Sequence, residues 1–180
     1  MAFRDKKRHQ ARIYLIDELK HHYDEVMEKY DRPEKYRLQA YTSEHRFFQD
    51  LERDRPPATA AKVLIYVANR HLTAEDPLKD LLRFLDRLNS MSTGFEVIVV
   101  TSQKMEEAER RLREAGVFSI IPDNENALLR IDNFIKASIS RHTIRMKKQA
   151  ARTALKVFTA YLLLTGLLWF AARMLYPEFF

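Results

Sequence analysis

Lys62-Val63-Leu64-Ile65-Tyr66-Val67-Ala68 and Glu96-Val97-Ile98-Val99-Val100-Thr101 decide the fold. Both runs are short, rich in β-branched residues and almost wholly apolar. A strand reads this way when both of its faces are covered, as in a parallel sheet between layers of helix. Between the two runs, Pro77 to Leu88 places Leu78, Leu81, Leu82, Leu85 and Leu88 along one side of a helix. Upstream, Arg12 to Ile16 is a shorter apolar run that ends at Asp17-Glu18. Helical spacing follows from Leu19 to Tyr30, through Tyr23, Val26 and Met27, until Asp31-Arg32-Pro33 stops it. Tyr36 to Tyr41 alternates as a strand does. Thr42 or Ser43 is placed to cap a helix that carries Phe47, Phe48 and Leu51 and breaks at Arg55-Pro56-Pro57.

Downstream, Lys104 to Ala115 is a charged amphipathic helix closed by Gly116, the residue type that most easily takes the left-handed conformation after a helix. Phe118 to Ile121 is a fifth short strand. Asn126 to Ser140 is a final helix able to run straight on toward the C-terminus. Five strands alternating with five helices imply an α/β fold, a parallel sheet with helices on both faces and right-handed crossovers. The commonest arrangement for this count is flavodoxin-like, with strand order 2-1-3-4-5.

The last quarter of the chain carries a different signal. Val157 to Ala172 is sixteen residues without a charge, bounded by Lys156 and Arg173. The preceding segment, 141–156, holds Arg141, Arg145, Lys147, Lys148, Arg152 and Lys156 and no acidic residue. Those six account for the whole formal charge of +6, because the other 25 basic residues balance 25 acidic ones. A positive excess gathered at the mouth of an apolar helix is the pattern of a cytoplasmic juxtamembrane segment facing anionic lipid headgroups. Sixteen helical residues cover roughly 24 Å, short of a hydrocarbon core of about 30 Å. Lys156 and Arg173 can bury their stems and extend the span from Thr153 to Tyr176. Tyr161, Trp169 and Tyr176 are amphipathic anchors for it. The competing reading is an interfacial helix or a core helix, but Thr159, Thr165 and Gly166 make no charged face to meet water.

The organisation expected is therefore a basic N-terminal arm at 1–10, an α/β domain at 11–140, a basic juxtamembrane helix at 141–156, a transmembrane helix at 157–176 and a short tail at 177–180. The charged N-terminus MAFRDKKRHQ has no apolar core of a secretory signal. The positive flank places the α/β domain on the cytoplasmic side of a bacterial inner membrane, as in a tail-anchored protein.

Composition removes several kinds of chemistry. With no cysteine there is neither a disulfide framework nor a thiolate metal site, and with three glycines there is no glycine-rich phosphate loop. His21-His22 cannot chelate together, since neighbours on a helix point to different sides. No cofactor is expected.

Three landmarks make residues 11–140 resemble the receiver domain of bacterial response regulators, the CheY-like fold. Ile16-Asp17-Glu18 ends the first strand where receivers keep an acidic pair for Mg²⁺. Val97 to Ser102 resembles the fourth strand with its terminal hydroxyl, here Thr101. Glu107-Ala108 and Glu114-Ala115-Gly116-Val117 resemble the helix and step before the fifth strand. The resemblance implies a phosphoacceptor aspartate at the end of the third strand, whose carboxylate would attack a phosphoryl group held by Mg²⁺. This chain has Ala68-Asn69-Arg70 there, and an amide is not a usable nucleophile. It also implies a lysine after the fifth strand, a place that falls on Asp123. The chain thus reads as a pseudo-receiver, not an enzyme, with a vestigial site of Asp17, Glu18, Asn69, Thr101 and Asp123. Asp17 and Glu18 are weak candidates to hold a cation through oxygen, or else solvated loop carboxylates, Asp17 then capping the helix after it.

The function expected is a protein-interaction module or accessory subunit of a membrane complex. By resemblance its docking surface spans roughly residues 103–141, with Glu106, Glu107, Glu109, Arg110, Arg111 and Arg113 at its rim or paired along their own helix. Two alternatives stand beside it. One is a phosphorelay receiver with a displaced acceptor such as Asp76. The other is nucleic-acid binding through the basic helix, which no helix-turn-helix or stacking module accompanies.

Overall fold

The structure is a computed structural model that describes residues 11–20, 22–30, 32, 35–57, 59–68, 75–91, 94–102 and 106–175. The elements run β1 (Ala11–Ile16), α1 (Tyr23–Tyr30), β2 (Tyr36–Tyr41), α2 (Glu44–Arg53), β3 (Lys62–Ala68), α3 (Glu75–Met91), β4 (Phe95–Thr101), α4 (Glu106–Glu114), β5 (Ser119–Pro122) and α5 (Ala127–Leu175). All strand pairs are parallel, and the sheet order is β2-β1-β3-β4-β5. The chain divides into two compact units, Met1–Ser140 and Arg141–Phe180.

Strand alternation sorts the core of the first unit into two layers. Tyr14, Ile16, Leu64, Val97 and Val99 pack with Phe47, Phe48 and Leu51 of α2, the leucine row of α3, and Ala108 and Leu112 of α4. Ile13, Leu15, Val63, Ile65, Val67, Ile98 and Val100 turn the other way, onto Val26 and Tyr30 of α1 and Ala127, Ile131 and Ile135 of α5. Successive strand residues point to opposite faces, so β3 and β4 needed apolar side chains at nearly every position. Phe47 sits at the centre of the first layer, with the rings of Tyr14, Tyr41, Phe48, Phe84 and Phe95 all within 6.3 Å of its own.

The helix ends follow local chemistry. Ser43 caps α2 by accepting a hydrogen bond from the Arg46 N–H. α4 closes with paired backbone bonds, Val117 N–H to the Leu112 carbonyl and Gly116 N–H to that of Arg113, and Gly116 has φ +92°. That bonding pattern needs a left-handed residue after the helix, which glycine adopts without a Cβ clash.

Several element boundaries differ from the sequence reading. The first helix begins at Tyr23 rather than Leu19, and Leu19 is 72% exposed instead of facing the core. A turn held by Asp17, with Lys20 at φ +56°, precedes the helix. α3 extends beyond Pro77–Leu88 at both ends. β5 starts one residue late because its ladder opens at the Ser119–Ile98 pair, while Phe118 packs its ring against Phe134.

By length and composition α5 carries a stretch apolar enough to cross a membrane, and none of that stretch is buried within the protein. Residues from Val157 to Phe170 that are large and apolar stand more than half exposed. Thr159 and Thr165 donate their hydroxyls to the carbonyls of Leu155 and Tyr161 one turn earlier, so their polarity is satisfied inside the helix.

Candidate functional site

The carboxyl ends of the strands are where open α/β sheets bind ligands. At this edge β1 delivers Asp17, β4 delivers Thr101 and β5 leads into Asp123. Asp17 is 1% exposed, and both carboxylate oxygens are occupied by the turn after β1: Oδ1 accepts from the Leu19 N–H at 3.2 Å and Oδ2 from the His22 N–H at 2.8 Å. Asp17 thus braces the turn after β1 rather than capping α1, since both N–H groups it accepts from precede Tyr23.

His22 then joins the other side of the crevice. Its Nε2 lies 2.9 Å from Asp123 Oδ1, and its Nδ1 lies 3.8 Å from Glu25 Oε2. The backbone N–H of Asp123 donates to the Thr101 carbonyl at 2.8 Å, fixing the loop after β5 against the end of β4. Asp17, His22, Asp123 and Thr101 are thus linked residue to residue. The links run through the His22 and Asp123 backbone N–H groups and the Thr101 carbonyl as well as the His22–Asp123 side-chain contact, and Thr101 is 5% exposed.

Glu18 takes no part in this linkage. It is exposed and lines a pocket of about 450 Å³ that reaches the carboxyl end of β3 at Val67 and Ala68, with Glu44 of α2 and Phe84 and Arg87 of α3 among its walls. Tyr66 there donates its hydroxyl to Glu44 at 2.7 Å, and the Arg87 guanidinium stacks 4.2 Å from the Phe48 ring centre. Asn69 lies outside the described residues, as does the side chain of Asp76, whose backbone belongs to the first turn of α3. Among the described residues no three His, Asp or Glu side chains converge as metal ligands.

His22 is the functional candidate that sequence reasoning passed over. Its partner is 101 residues away, so no local spacing reports the contact. The available signal was indirect: a lone Asp123 at a place where the receiver resemblance implies a lysine demands a positive or donating partner from elsewhere.

The charges of α4 are largely paired within their own helix. Arg110 reaches Glu107 at 2.7 Å and Arg113 approaches Glu109 at 3.9 Å. In the second unit Arg141, Arg145, Lys147, Lys148, Arg152 and Lys156 are all exposed along α5. The Arg173 guanidinium lies 5.6 Å from the Trp169 ring centre. Tyr176 lies outside the described residues.

No protein-family model matches the chain, and no curated protein matches it. Solved structures do. A signal receiver domain from Vibrio parahaemolyticus superposes with a TM-score of 0.57 at 16% identity, covering 76% of this chain and 95% of that one. A CheY-like receiver domain from Methanospirillum hungatei gives 0.57 at 14% identity, covering 76% and 98%. A pilus assembly-related protein from Burkholderia pseudomallei gives 0.53 at 16% identity, covering 73% and 90%. At these identities the likeness is one of fold: the chain has the flavodoxin-like receiver fold, and its neighbours are response-regulator receiver domains.

Proposed function

We propose that the chain is a receiver-fold module that works without phosphotransfer, anchored in a bacterial inner membrane with its α/β unit on the cytoplasmic side. There it acts as an interaction module or accessory subunit of a membrane complex. The observation that supports this most is the state of the strand-end crevice. Asp17 is committed to backbone N–H groups, and Asp123 is matched by His22 where the receiver resemblance implies a lysine. β3 meanwhile ends at Ala68, opposite Thr101, with the amide Asn69 next in sequence. A crevice whose carboxylates already hold hydrogen-bond partners has fewer acceptor positions left for Mg²⁺ and a phosphoryl group.

The anchor rests on the exposed apolar stretch of α5 and on the basic residues before it. Arg152 and Lys156, closest to the apolar segment, are placed to meet anionic headgroups. One structural neighbour is described as pilus assembly-related, so an assembly role lies within what this fold supports. The test is purification of the full-length protein from native membranes in mild detergent. Co-purification of defined membrane subunits in fixed ratio is expected, and a protein that purifies alone in repeated detergents would refute the subunit role.

A further inference from the structure

We infer that α5 presents a one-sided basic stripe that docks an acidic helical segment of a neighbouring membrane protein. The inference rests on the membrane-anchored reading above and names the partner chemistry for it. Arg141, Arg145, Lys148, Arg152 and Lys156 follow one another at steps of three and four residues. At about 100° per residue these five fall within an arc of roughly 80°, and over fifteen residues they extend roughly 22 Å along the helix. Lys147 falls outside the arc. Nearly opposite the stripe lie Thr143, Ala150 and Ala154, small and uncharged, with Lys147 beside them.

α5 is continuous across the boundary between the basic and apolar segments, since its 49 residues from Ala127 to Leu175 form one helix. The uncharged stretch alone is shorter than the hydrocarbon core, and even the span extended to Thr153 exceeds it by only about 6 Å, so little length is left to absorb by tilting. The basic segment therefore stands out from the bilayer as a post. Arg152 and Lys156 sit at its foot, but Lys148, Arg145 and Arg141 lie roughly 12 to 22 Å above Lys156. At physiological salt the Debye length is about 8 Å, so the leaflet holds the upper cations only weakly. Lipid also surrounds a spanning helix on every side and would favour cations all round it. Five of the six cations gathered on one side and reaching beyond the headgroups match one neighbour of opposite charge, lying alongside. Among the described residues no acidic side chain forms an ion pair with Arg145, Lys148, Arg152 or Lys156.

Photo-crosslinking of the full-length chain in its native membranes tests this. A benzophenone amino acid replaces Ile144 or Gln149, which flank the stripe, or Ala150 on the opposite side. The expected result is a discrete protein adduct from Ile144 and Gln149 but not from Ala150, with an Asp/Glu-rich peptide at the crosslink. That adduct should fall by roughly tenfold or more in Arg145→Gln/Lys148→Gln, as loss of close charge pairs does at charged interfaces. Adducts to lipid alone, to a second copy of this chain, equally from both sides, or unaffected by the double substitution would overturn the inference. Carbonate extraction of the same membranes separates the two failures. A protein retained in the pellet without an acidic adduct contradicts the stripe alone, whereas a protein released to the supernatant contradicts the anchor.

Discussion

His22 Nε2 and Asp123 Oδ1, 101 residues apart in the chain, meet at 2.9 Å across the carboxyl edge of the sheet. This contact ties the turn after β1 to the loop after β5, the two segments that frame the crevice. Because His22 is 8% exposed, removing its partner leaves a polar group buried with less to bind. Asp123→Ala should therefore destabilise the fold by about 1–2 kcal/mol in chemical denaturation. Glu125→Ala, a neighbouring exposed carboxylate, should leave stability within about 0.5 kcal/mol.

Asp17 predicts a comparable loss by a different route. Its carboxylate accepts two backbone N–H groups of a turn that contains a left-handed lysine. Asp17→Ala removes both acceptors and should cost about 1–2 kcal/mol. Asp17→Asn, which keeps one carbonyl acceptor, should cost less. Equal losses for the two variants would show that negative charge, rather than the hydrogen-bonding shape, is what the turn needs.

The fold should also carry an acid-sensitive element on its other face. Asp132 is buried, which opposes its ionisation. Hydrogen bonds from Lys136 at 2.7 Å and Tyr30 at 2.8 Å, with the nearby charge of Lys29, outweigh burial and hold the carboxyl below its usual range. A carboxyl depressed on folding contributes stability that is fully present above its unfolded value, about pH 4, and is lost as pH falls through the folded value. Thermal denaturation should show this loss on the acid side below about pH 4, and Asp132→Asn should flatten that part of the profile. An unchanged acid limb in the variant would assign the sensitivity to other carboxylates.

Much of this architecture was legible in the sequence, and the exceptions have physical causes. β3 and β4 announced themselves because burial on both faces forces a continuous apolar run, and β2 because one face is less covered. Periodicity alone starts α1 at Leu19, because that residue fits the helical spacing by coincidence. The Asp17 side chain competes for the backbone there and delays the helix to Tyr23. The contact between His22 and Asp123 was illegible because parallel topology, not chain proximity, brings their loops together. Asp17, Thr101 and Asp123 could be placed at one edge from strand order alone, but nothing in Ile16-Asp17-Glu18 reveals that Asp17 turns inward while Glu18 faces the pocket beside Ala68.

Core packing offers a sharper contrast. Phe47 is fully buried amid five aromatic rings, so Phe47→Ala should cost about 3–5 kcal/mol. Leu19→Ala, at an exposed leucine of similar hydrophobicity, should change stability by less than about 0.5 kcal/mol. A measurable cost at Leu19 would mean that its side chain is covered by something in solution.

Phosphotransfer is tested by exposing the full-length protein to a small phosphoryl donor with Mg²⁺ and recording its intact mass. No phosphoryl adduct is expected, with or without Asp76→Ala. An adduct abolished by Asp76→Ala would establish the displaced-acceptor alternative.

The central claim is that a receiver-fold unit is held at the membrane by α5. Alkaline carbonate extraction of native membranes, followed by protease treatment of intact spheroplasts, tests it most directly. The account predicts that the full-length chain stays in the membrane pellet and that its α/β unit is cut only after the cells are opened. Release of the chain into the carbonate supernatant, or digestion of the α/β unit from outside, would contradict it.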